Sequence, residues 1–83
     1  MIIKKPYLIY VKWMDPEGMA GWNDADKCEA WIKEGTLICE SVGWKIWEDD
    51  SLLVLATSTN KHHWGDCLKL PKEVVIKVKR IKI

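Results

Sequence analysis

Residues 36–59 read TLICESVGWKIWEDDSLLVLATST, and this stretch decides the fold. It predicts two β-strands joined by a tight turn at Glu48-Asp49-Asp50-Ser51, where acidic and small polar side chains can hydrogen-bond their own backbone. On the first strand Ile38, Val42, Trp44 and Ile46 fall mostly on one face. On the second, Leu52 and Val54 alternate with Leu53 and Leu55, so both faces are apolar, as in a central strand.

The flanking segments read as cover or edge for this hairpin. Residues 7–14 predict a first strand with Tyr7, Ile9, Val11 and Trp13 on one face. Asp15-Pro16-Glu17-Gly18 is a turn, since Pro presets the second turn position and Gly relaxes the fourth. Residues 23–34 predict a helix. Asn23 or Asp24 can cap it, and Asp24 and Asp26 sit where a helix N-terminus favours negative charge. Cys28, Trp31 and Ile32 form its apolar stripe. A helix this short is not stable alone, so the stripe is expected to dock on the sheet with Trp31 buried. Gly35 is placed to end it in the left-handed conformation.

Downstream, residues 60–66 predict a polar loop and residues 67–70 a short strand. Pro71-Lys72-Glu73 fits a single 3₁₀ turn before a last strand over residues 74–83. Val74, Ile76 and Val78 face one way there, and Ile81 and Ile83 the other. That phase change predicts a bulge near Lys79 and Arg80, or a strand end lying against a partner.

Length and composition bound the rest. The 83 residues suffice for one small domain, 1–83, with a thin core. A hydrophobic fraction of 48% argues against disorder. Phe is absent and Trp numbers 6, so Trp carries the aromatic packing. A net charge of +1 gives no strong overall pull towards nucleic acid or membrane. The odd count of 3 Cys, widely spaced, argues against a disulfide framework, and buried small residues are the expectation for all three. Met1-Ile2-Ile3-Lys4-Lys5 resembles the start of a signal peptide, but Pro6 and Lys12 break the apolar run and no cleavage site follows. No stretch is long enough to span a membrane, so a cytoplasmic protein with reduced thiols is expected.

The fold class these elements give is mainly β: a small five-stranded bent barrel with one short helix inserted after the first strand. It resembles the SH3-like and Sm-like barrels, in which a 3₁₀ turn links the last two strands. Here that feature is Leu70-Pro71-Lys72-Glu73-Val74-Val75. A second resemblance rests on Trp13-x-Asp15, Gly21-Trp22, Glu40-Ser41-Val42-Gly43-Trp44, Glu48-Asp49-Asp50, Leu53, Leu55, Leu70-Pro71-Lys72 and Ile76. This pattern covers most of the chain and is similar to small uncharacterised proteins of bacteriophages and prophages. The helical segment departs most from it. The resemblance implies a setting, the cytoplasm of a phage's host, and makes interference with a host defence system an expectation.

Several clusters could carry chemistry. His62-His63-Trp64-Gly65-Asp66-Cys67 is the densest set of potential ligands, but a metal needs converging ligands, and adjacent His side chains on an extended chain point apart. Cys67 beside a His could be a nucleophile only if the base were oriented and the thiol lay in a pocket. Glu48-Asp49-Asp50 lacks the spaced oxygens of a calcium loop and reads as a turn. No phosphate loop, nucleotide fingerprint or triad-like motif appears, so neither metal, cofactor nor catalysis is expected.

Two features favour binding. Trp22 and Trp64 lie in loops beside Gly, and Trp44 and Trp47 face opposite sides of their strand unless a bulge intervenes. Such rings can form a binding surface or can close the ends of a thin core. The C-terminal stretch is basic, and Lys77 and Lys79 share one face. That strand could track a phosphate backbone, or could be an edge protected by Lys. Trp22, Trp47, Trp64, His63, Lys77 and Lys79 are therefore the candidate ligand- or partner-binding residues. The expected function is non-catalytic capture of a ligand or host macromolecule, such as a nucleotide signal or a defence protein. Sm-like nucleic-acid binding through the basic last strand is the alternative. A homo-oligomer, most simply a dimer built through that strand, is expected as well.

Overall fold

The computed structural model describes residues 5–83, so Met1 to Lys4 of the leader-like N-terminus lie outside the described residues. Five strands and one α-helix follow in the order β1 (Leu8–Asp15), α1 (Ala25–Lys33), β2 (Leu37–Glu48), β3 (Leu52–Thr59), β4 (Trp64–Pro71), a 3₁₀ turn (Lys72–Val74) and β5 (Val75–Arg80). They form one antiparallel sheet in the order β4-β3-β2-β1-β5, and β4 and β5 do not pair with each other. The fold is thus mainly β, with one short helix after the first strand.

β4 and β5 stand at opposite edges of the strand order, yet only the three-residue 3₁₀ turn separates them. A flat sheet could not do this, because three residues span at most about 10 Å. The sheet must coil on itself. The coiling pivots on β2, which pairs with β1 over residues 37–44 and with β3 over residues 44–48. Gly43 sits at that junction, where a Cβ would lie 2.8 Å from the Ala56 carbonyl oxygen and 2.9 Å from Leu55 Cδ1. The missing side chain is what lets the two half-sheets approach.

The concave face holds the core: Ile9, Val11, Leu53, Leu55 and Leu70, with Tyr7, Trp13, Leu68, Val74 and Val75 packed around them. The expected face of β1 is therefore the core face. Across from it, Ile9, Val11 and Trp13 pair with Gly43, Ser41 and Cys39. Bulky residues on β1 meet small ones on β2, and the apolar stripe Ile38-Val42-Trp44 turns outward. Ile38 and Val42 are 44% and 49% exposed. Ile46 leaves that stripe, because the β2–β3 register shifts between Lys45 and Trp47; it is buried at the bulge. The same shift brings Trp44 and Trp47 onto one face, opposite Ala56 and Val54.

Three further expectations are corrected. β4 begins at Trp64, so Trp64 to Asp66 are strand, with Asp66 at φ 50°. The last strand's irregularity lies near Ile76, opposite the Lys12–Trp13 step, and not at Lys79–Arg80. Val75 and Val78 consequently face Trp13 and Val11. Cys67 is exposed, while Cys28 and Cys39 are half-buried, and all three are free thiols.

The helix gives the largest correction. Asp24 caps α1 through its carboxylate, which accepts from the Lys27 amide at 2.8 Å. Glu29 and Lys33 pair at 3.0 Å, and Gly35 follows at φ 76° as expected. None of its residues is buried, however: Trp31 is half-buried and Ile32 is 68% exposed. The end of β1, residues 16–36 and the start of β2 form an arm that stands off the coiled sheet. The molecule accordingly measures 51 × 23 × 23 Å, with a radius of gyration of 16.2 Å. A compact chain of this length would have about 12 Å.

Candidate functional site

The six residues singled out from the sequence do not converge. Trp22 lies in the arm and is fully exposed. Trp47 sits at the β2–β3 turn, half-buried, with its indole N–H donating to Asp49 Oδ2 at 2.8 Å. His63 belongs to the β3–β4 loop, where Asn60 Oδ1 accepts from the amides of His62 and His63, both at 2.9 Å. Trp64 opens β4 opposite Thr59 and is half-buried. Lys77 and Lys79 are exposed on β5, at the other edge of the sheet. Among the described residues, no three His, Cys, Asp or Glu side chains gather as a metal site would require, and no helix is long and apolar enough to cross a membrane.

The structure assembles a different group where the start of β1 meets the end of β5. Ile9 pairs with Arg80, and the Ile81 amide donates to the Leu8 carbonyl at 2.9 Å. Tyr7, Leu8, Trp44, Arg80 and Lys82 line a recess of about 440 Å³ there. The Arg80 guanidinium lies over the Tyr7 ring at 4.2 Å, a cation–π contact that orients the charge, and no side chain among the described residues pairs with its N–H groups.

Tyr7 is itself held. Its hydroxyl accepts from Lys45 Nζ at 2.9 Å, its carbonyl accepts from the Lys45 amide at 3.0 Å, and the Lys45 ammonium lies 5.2 Å from its ring. Lys45 also pairs with Glu48, which in turn accepts from Lys72 at 2.7 Å. Partial burial would lower the Lys45 pKa, but its hydrogen bonds to Glu48 and Tyr7 outweigh that and raise it. The same bonds, from Lys45 and then Lys72, hold the Glu48 carboxyl below its ordinary range. The recess therefore combines two aromatic rings with two cations, one of them preset. Such a lining can stack on a flat ring and pair with an anionic group.

A second surface lies at the arm. Met14, Asp15, Glu17, Trp31 and Ile32, with Val74 of the 3₁₀ turn, line an apolar recess of about 330 Å³ with two carboxylates at its side. A third lies on the convex face, where Lys77 pairs with Lys12 and Lys79 with Tyr10. Tyr10 donates its hydroxyl to Glu40 Oε2 at 2.7 Å, which raises its pKa.

Sequence reasoning missed Tyr7, Trp44, Arg80 and Lys82 as a group. Tyr7 lies more than seventy positions before Arg80, and only β1–β5 pairing joins them. The detectable signal was the mixed aromatic and basic composition of both segments. No family model, curated protein or solved structure matches the chain.

Proposed function

We propose that the protein is a non-catalytic binding protein of phage type, which captures an anionic, ring-bearing ligand of nucleotide kind in the host cytoplasm and so withholds a signal from host defence. The observation that carries this reading is the recess lined by Tyr7, Trp44, Arg80 and Lys82. Its volume lies within the range of small-ligand pockets, and its chemistry suits a base and a phosphate together. Self-association into a homo-oligomer belongs to the same reading, since the outer edge of β5 pairs with no strand among the described residues.

Calorimetric titration with a panel of linear and cyclic nucleotides tests it. Binding that weakens by at least about tenfold in both Arg80→Ala and Trp44→Ala supports the reading. No heat from any nucleotide at millimolar concentration defeats it.

One observation favours a second reading, capture of single-stranded nucleic acid or a host protein on the convex face. Lys12, Lys77 and Lys79 share that face with Tyr10, a basic ridge beside an aromatic ring. Anisotropy of a labelled oligonucleotide at two salt concentrations decides whether nucleic acid is the ligand. A phosphate-tracking surface must lose affinity steeply as salt rises.

A further inference from the structure

We propose that the arm of one copy docks on the β5 edge of a second copy, so that two chains related by a two-fold axis make this contact twice. The proposal rests on the homo-oligomer part of the reading above and concerns the β5 edge around Lys77 and Lys79, next to the Tyr7–Arg80 recess.

The net charge of +1 hides a strong polarity. Residues 15–36 carry six acidic and two basic side chains, a net of −4, while residues 75–83 carry four basic side chains and no acidic one, a net of +4. Each segment also exposes apolar groups. On the arm Ile32, Leu37 and Ile38 are open, and on β5 Ile76 and Val78. The two surfaces are complementary in both charge and hydrophobicity. Within one chain both sets of apolar groups stay exposed.

The amount of exposed surface points the same way. The chain exposes 6590 Å². A compact monomer of this mass would expose about 5,100 Å². The excess is roughly 1,500 Å², of the order that a stable homodimer buries per chain. Simple edge-to-edge pairing of two β5 strands would set the Lys77, Lys79 and Arg80 of one copy beside those of the other, a like-charge contact that costs affinity. An acidic arm on that edge removes the penalty. Two-fold symmetry then covers both arms and both edges in a closed assembly.

Sedimentation velocity over a concentration series tests this, with Lys77→Glu/Lys79→Glu on β5 and Glu17→Lys/Glu34→Lys on the arm. All four positions are exposed, and far-ultraviolet circular dichroism checks that each variant is folded. The wild type is expected to be a dimer at micromolar concentration that weakens as salt rises. Each double variant should weaken self-association by at least about tenfold. The two variants mixed should form a heterodimer, because each arm then meets an edge of opposite charge. A monomeric wild type across the series, a dimer indifferent to both variants, or a failure of the mixture to associate overturns the proposal. Nucleotide titration of the monomeric variants tests the ligand recess independently of that outcome.

Discussion

The coiled sheet and the arm both carry large apolar residues but treat them in opposite ways. In the sheet, Ile9, Val11, Leu53 and Leu55 are sealed to within 1% exposure. In the arm, α1 buries nothing, and Trp22, Ile32 and Leu37 face solvent. The difference comes from how many elements meet. Each of these four residues has paired strands on both sides and a curled face above it. The arm has two strand ends and one short helix, which cannot enclose a core. Burial in a chain this small is a matter of geometry first and of hydrophobicity second.

The sharpest way to break that comparison is to open the sealed side. Leu55→Ala removes a fully buried side chain from the centre of the core and should cost about 2–5 kcal/mol, read from the urea midpoint. A loss below that range would mean that the sheet is no better packed than the arm. Gly43→Ala should follow, at about 1–3 kcal/mol, because the new methyl meets a backbone carbonyl that can yield only if the two half-sheets separate.

The β2–β3 turn sharpens the comparison through pH. Hydrogen bonds from the Trp47 indole and then the Ser51 and Leu52 amides hold the Asp49 carboxyl below its ordinary range. Glu48 is lowered likewise by Lys45 and Lys72. A carboxylate depressed on folding contributes fully above its unfolded pKa, near 4, and that contribution is lost as pH falls through the lower folded value. Thermal midpoints should therefore decline below about pH 4.5, and Asp49→Asn should flatten the decline. An unchanged acid limb in that variant would show that these bonds do not form in solution. Both groups are solvent-exposed, so the effect is smaller than either core substitution.

The smallest effect belongs to the arm. Ile32→Ser should change stability by no more than ~0.5 kcal/mol when measured dilute enough to keep the chain monomeric. A loss comparable to Leu55→Ala would place the helix against the sheet after all.

Much of the architecture was legible without coordinates. The β2–β3 turn, the 3₁₀ turn after Pro71, a cap at Asn23 or Asp24 and the Gly35 stop all follow from side-chain hydrogen bonds or backbone preferences acting within four residues. Such interactions depend on local sequence alone. The core face of β1 was also readable from Tyr7, Ile9, Val11 and Trp13, although Leu8, Tyr10 and Met14 blur the alternation.

What only the tertiary structure decided was where non-local partners fell. The bulge at Ile46 put Trp44 and Trp47 on one face. The small residues Ser41 and Gly43 turned the apolar stripe of β2 outward. Arg80 came to rest on Tyr7 through β1–β5 pairing, and α1 was left undocked. Each outcome depends on register or on volume across strands distant in sequence. A one-residue slip in register reverses every face, and no local pattern of residues carries that information.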